Sequence, residues 1–167
     1  NRGGSVLTKV RYGTIPKVRN RTIKGGDMNA RTFFYTFGQA LYRLDGVYAD
    51  FARENGAGSP TLLWILYALN DGNEHSQHEI CQNLDLPKST VNTIIKDLVQ
   101  KGFVTLVPIK GRRREMLVLL TASGKEYADS LLTDVYKKEA AVFAQLTRED
   151  LNVTAVLEKM TALLKEV

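Results

Sequence analysis

The stretch from Ser76 to Thr121, SQHEICQNLDLPKSTVNTIIKDLVQKGFVTLVPIKGRRREMLVLLT, changes hydrophobic period once, at Gly102, and that change constrains the fold more than any other feature. Before Gly102 the apolar positions recur at helical spacing; after it they run in short β-branched segments. Ser76 stands three residues before Glu79, the S-x-x-E pattern that satisfies orphan amides at a helix start. Ile80, Cys81 and Leu84 give that helix its apolar side. Asp85-Leu86-Pro87 breaks it, and Pro87 suits the opening of a second helix because its missing N–H is not needed there. The second helix is expected to bury Val91, Ile94, Ile95, Leu98 and Val99 and to end at Gly102 in a left-handed cap.

Beyond Gly102, Phe103 to Ile109 and Met116 to Leu120 predict a two-stranded hairpin. Its tip, Lys110-Gly111-Arg112-Arg113-Arg114, is a glycine turn with four cations. Two helices, a tight turn and a hairpin with a cationic tip make a winged helix-turn-helix. The second helix is sized for a DNA major groove, and the tip can reach phosphates or the adjacent minor groove. Its outward side chains are Lys88, Ser89, Thr90, Asn92, Thr93 and Lys96. First-turn amides with Ser89 and Thr90 can hold a phosphate. Asn92 can pair with adenine, and Lys96 can reach guanine or a phosphate. The plainer reading is a solvated helix face on which Ser89 and Thr90 only cap.

The string from His78 to Gly124 resembles the MarR family of multiple-antibiotic-resistance-type transcription regulators. Leu86-Pro87-Lys88-Ser89-Thr90-Val91 is similar to that family's Leu-Ser-Lys-Ser-Thr-Val helix opening. Leu98 to Val104, LVQKGFV, matches its helix end and first wing strand, and Leu120-Thr121-Ala122-Ser123-Gly124 its Leu-Thr-x-x-Gly exit from the wing. The resemblance implies a homodimeric repressor that binds double-stranded DNA and is released by a small aromatic or lipophilic effector. By position it gives Arg113 the minor-groove role. The tip departs from the family's Asp-Arg, having Arg112-Arg113. Thr93 stands where the family often has arginine, as do Thr105 and Leu106 in the first wing strand.

Charge supports the same surface. Residues 1–27 hold seven Lys/Arg and one acid, so the net charge of +5 belongs to that segment, and the rest of the chain is at −1. Residues 86–114 nevertheless carry seven cations against Asp97 alone, which is the local concentration a phosphate-binding face requires. The one cysteine excludes an intramolecular disulfide framework and fits a reducing cytoplasm. No run reaches the length of a membrane span, so no membrane partner is expected.

The expected organisation is mainly α with a small β-wing. Residues 1–27 read as a basic arm, or as a tail or leader ahead of a natural start at Met28. Residues 28–167 form one domain, with a winged helix-turn-helix over 59–121 and dimerisation helices over 31–54 and 122–167. Phe34, Phe37, Leu41, Leu44, Tyr48 and Phe51 alternate three and four apart along the first helix. Ser59-Pro60 opens a nearly apolar helix that should be the buried centre. Thr121 caps the helix after the wing, and Thr147 to Asp150 resembles a second capping box with Asp for Glu. The terminal helices carry more apolar face than one small domain covers, which marks an association surface.

Tyr42, Tyr48, Trp64, Tyr67 and His75 are the candidates for an effector pocket; aromatics at helical spacing also serve as plain core. Cys81 is expected to be a buried structural cysteine rather than a redox sensor, with nothing basic beside it to lower its pKa. His75, His78 and Glu79 lack a third well-spaced ligand, so no metal site is expected. There is no phosphate loop, nucleophile elbow or catalytic Cys/His pair, and hence no catalytic residue, cofactor or enzyme activity to expect. Besides the specific regulator, two readings stand: a winged-helix module for protein–protein assembly, and a duplex binder without sequence preference.

Overall fold

The computed structural model describes residues 29–111 and 115–167. The elements in order are α1 (Ala30–Glu54), α2 (Pro60–Leu69), β1 (His75–Ser76), α3 (Gln77–Asn83), α4 (Lys88–Gln100), β2 (Val104–Pro108), β3 (Met116–Leu120), α5 (Ala122–Phe143), a 3-10 turn (Asp150–Asn152) and α6 (Val153–Glu166). The chain divides after Tyr42, inside α1, into two compact units. Among the described residues no helix is long and apolar enough to cross a membrane.

In the first unit, the Asn29 side chain caps α1 by accepting from the Thr32 amide at 2.9 Å. The Phe33 ring stacks on Phe37 at 6.0 Å and meets Phe34 edge-on at 5.3 Å. Phe34 and Leu41 are nonetheless exposed.

The second unit is built around α2. Ser59 Oγ accepts from the Leu62 amide at 3.1 Å, with Pro60 in the first turn, as the sequence predicts. Leu63, Ile65, Leu66 and Leu69 are buried, so α2 is the centre of the core. Ile80 of α3, Ile95 and Leu98 of α4, Val118 of β3 and Leu132 of α5 close around it. Each truncation of such a side chain to Ala typically costs about 2–5 kcal/mol.

The hairpin is part of a three-stranded antiparallel sheet in the order β1-β3-β2, which corrects the two-stranded expectation. β1 is two residues, His75 facing Val118 and Ser76 facing Leu117. A segment that short has no alternation to detect. Ser76 serves twice, as a strand residue and as the cap of α3. Its Oγ accepts from the Glu79 amide at 3.1 Å, and its own amide donates to Glu79 Oε2 at 2.7 Å, the full capping box.

Asp85 turns the chain between α3 and α4 at φ +48°, and Pro87 is the cap of α4 rather than its first helical residue. At the other end Gly102 has φ +74°. Its amide donates to Val99 O at 3.0 Å and the Phe103 amide to Leu98 O at 2.9 Å, a Schellman ending. Val99 was expected inside but is 39% exposed. At roughly 100° per residue it lies about 80° round the helix from Val91, at the edge of the buried stripe.

Past the wing, Thr121 Oγ1 accepts from the Gly124 amide at 3.0 Å to cap α5. The second capping box is also present: Thr147 Oγ1 accepts from the Asp150 amide at 3.2 Å, and Asp150 Oδ2 accepts from the Thr147 amide at 2.8 Å. α6 follows, and it has no buried residue.

Candidate nucleic-acid interface and helix cleft

α4 is two-sided. Val91, Ile95 and Leu98 are buried, and Ile94 is half-buried against the core. Roughly 100° round the helix from them Lys88, Asn92 and Lys96 fall one turn apart and are all exposed, with Ser89 and Thr93 beside them and Thr90 half-buried. Among the described residues neither Lys88 nor Lys96 is held by a carboxylate, whereas Lys101 is tied to Asp97 at 2.7 Å. The row can therefore offer two free ammonium groups and a carboxamide to an external acceptor. Thr93 differs from its neighbours: its Oγ1 donates to Ser89 O at 2.9 Å, which leaves its methyl and lone pairs to face outward.

Lys110 is exposed at the tip of the wing, where Gly111 turns at φ +82° and the Ile109 amide closes onto Glu115 O at 3.3 Å. Arg112, Arg113 and Arg114 lie outside the described residues, as does the 1–27 arm. A cleft of about 570 Å³ separates α3 from the start of α4, with Gln77 and His78 on one wall and Lys88, Ser89 and Asn92 on the other. Gln77 and His78 thus border the candidate reading surface. Neither is among the DNA-contacting residues expected from the sequence. Cys81 also lines this cleft and is half-buried, which corrects the expectation of full burial.

The aromatic candidates separate into two groups. Tyr48 and Trp64 meet at 4.6 Å between centroids, and Trp64 and Tyr67 at 5.5 Å. Tyr48 and Tyr67 line a cleft of about 830 Å³ between the second half of α1, α2, α5 and the start of α6. Trp64 backs them and faces a separate cleft with Pro60 and Leu86. His75 is not brought to this cluster. Its place in β1 ties it to the sheet, and its Nε2 lies 3.0 Å from Asp71 Oδ1. Tyr42 belongs to the first unit, and its side chain is exposed.

The centre of the larger cleft is a residue the sequence reading missed. Glu139 of α5 accepts from the Tyr48 hydroxyl through Oε1 and from the Tyr67 hydroxyl through Oε2, both at 2.8 Å. Burial, and then the hydrogen bond to this carboxylate, push both phenols upward, Tyr67 to about 12. No local signal could have found Glu139, because its partners lie 91 and 72 residues away in sequence.

Residues 59–115 match the model of the MarR family. A MarR family regulator from Neisseria meningitidis is similar at 24% identity over 83% of this chain and 96% of its own, with a TM-score of 0.72. Staphylococcus aureus MarR in complex with salicylate and kanamycin is similar at 20% identity, over 82% of this chain and 93% of its own, with a TM-score of 0.58. AbfR, in an overoxidized form bound to DNA, shares 20% identity over 80% of this chain and 95% of its own, with a TM-score of 0.59. At these identities the likeness to the solved structures is one of fold. A search of curated proteins gave no match.

Proposed function

We propose, from the match of residues 59–115 to the MarR family model, that the chain is a dimeric, sequence-specific DNA-binding regulator of transcription that represses by occluding a promoter. The observation that carries the reading is the row of Lys88, Asn92 and Lys96, exposed along α4 beside the buried stripe that anchors it in the core. In this reading Asn92 and Lys96 read base edges in the major groove. Lys88, Ser89 and Thr90 hold the phosphate at the helix start, and Thr93 packs its methyl against a base. Lys110, Arg112 and Arg114 bind the backbone, while Arg113 enters the minor groove. Residues 1–27 add phosphate contacts. That AbfR has been seen bound to DNA supports this use of the fold.

Dimerisation follows from what α6 leaves uncovered. Val153, Val156, Leu163 and Leu164 are each at least 46% exposed, and Val142 and Phe143 at the end of α5 are similarly open. A second copy laid on these faces buries them and sets two α4 helices about one turn of DNA apart. The aromatic cleft around Glu139 is then the site of a releasing effector, a use supported by the salicylate and kanamycin complex of Staphylococcus aureus MarR. Selection from a random duplex pool tests the reading. It should enrich a pseudo-palindrome with half-sites about 10 base pairs apart centre to centre. A pool that remains random, or enrichment of a single asymmetric site by a monomer, contradicts it.

A further inference from the structure

The larger cleft has apolar walls and a negative centre. Glu139 spends one lone pair of each oxygen on Tyr48 and Tyr67. A carboxylate has about four such sites, so about two remain open. Both donors are neutral hydroxyls, and among the described residues no lysine or arginine pairs with Glu139. Lys138 also lines the cleft, but its Nζ is engaged by Glu54 rather than Glu139, 3.1 Å from Glu54 Oε2 and 4.5 Å from the centre of the Phe51 ring. The tyrosine rings add to the same preference, because Tyr136 meets Tyr67 edge-on at 5.1 Å and both line the cleft. Aromatic faces beside a carboxylate form a cation-accepting wall.

From this geometry we propose that the cleft takes a lipophilic amine, with its ammonium on Glu139 and its apolar body against Phe51 and Phe143, and that it discriminates against aromatic carboxylates. The inference rests on the effector-cleft reading above and names the class of ligand. Apolar walls lower the local dielectric and so strengthen both the attraction of a cation and the repulsion of an anion. An ammonium supplies the donors the open lone pairs lack. A carboxylate in the same place puts two like charges together away from water.

Trp64 is the chain's one tryptophan and packs against both Tyr48 and Tyr67, so its fluorescence reports on the cleft. Three probes of nearly equal size separate charge from shape: 4-phenylbutylamine, 4-phenylbutanol and 4-phenylbutyrate. The intact protein should bind the amine at least about tenfold more tightly than the butyrate, because a charge contact that is favourable even when fully screened is gained by the one and reversed for the other. The alcohol should fall between them. Glu139→Gln should bring amine and butyrate close to equal while leaving the alcohol within about twofold. Butyrate binding as well as the amine overturns the charge inference and leaves the cleft a ligand site. Failure of all three to bind overturns the effector reading as well. The ranking in the unmodified protein decides the matter even if the variant fails to fold.

Discussion

The carbonyl oxygen of Phe103 lies where a Cβ on residue 124 would have to stand, so Gly124 is fixed by the close approach of β2's entry to the first turn of α5. The same carbonyl accepts from the Thr121 amide at 3.0 Å, and the Phe103 ring stacks on Tyr127 at 4.4 Å. One end of the wing is therefore clamped to α5 by backbone, hydroxyl and ring together. Gly124→Ala should destabilise the fold by more than about 2 kcal/mol, since the clash is with backbone that cannot rotate away. Urea denaturation measures it; a loss below about 0.5 kcal/mol would mean the wing exit is freely adjustable.

Ser76 joins β1 to α3 through one reciprocal cap and is 2% exposed. Ser76→Ala removes the acceptor for the Glu79 amide and should cost about 1–2 kcal/mol. Thr147→Ala removes a cap of the same pattern at a fully exposed turn and should cost less. Thermal melts of the two variants side by side check the order.

Asp71 accepts from the Asn73 side chain, lies against His75 and accepts from the Asn73 amide, and these contacts hold its carboxyl well below the usual carboxylate range. A depressed pKa in the folded state gives stability that is present above the unfolded value and lost as pH falls below it. Asp71→Asn should therefore flatten the fall in urea midpoint on going from neutral pH to the acid side of the carboxylate range. An unchanged slope would remove Asp71 from the account.

The phenols on Glu139 titrate in the opposite sense. With Tyr67 raised from 10.0 to about 12, its contribution is complete below pH 10 and is lost as pH rises through 12. Phenolate absorbance should show Tyr48 and Tyr67 ionising late. Glu139→Gln should bring both closer to their ordinary value; no change would mean burial alone sets them.

Much of this fold is legible in the sequence because its punctuation is local. Ser59, Ser76 and Thr121 each cap a helix within three residues, Thr147 pairs with Asp150 at the turn that leads into α6, and Gly102 ends α4 in a left-handed conformation that glycine adopts more cheaply than other residues. The outward face of α4 follows equally from the 3.6-residue period. What depends on distant partners is not legible. β1 exists only because Val118 and Leu117 are there to pair with it. His75 was assigned to the aromatic pocket on residue type, and the sheet takes it elsewhere. Nothing in the sequence singles out Glu139 on α5, yet two phenols from α1 and α2 converge on it.

On the reading surface, Asn92→Ala should cost about 1–3 kcal/mol on a specific duplex and almost nothing on a random one, because it removes a base contact. Lys88→Ala should weaken both duplexes alike and reduce the salt slope by about one. Fluorescence anisotropy at several salt concentrations separates the two; identical behaviour of both variants would return the row to a plain solvated face.

The most direct test of the central claim is an anisotropy titration of the protein against a duplex enriched by selection and against its shuffled counterpart. It should be run at two salt concentrations, with and without residues 1–27. A preference of at least about a thousandfold that survives removal of the arm is the predicted result. Equal affinity for both duplexes, collapsing with salt or with loss of the arm, would contradict it and leave a charge-driven binder.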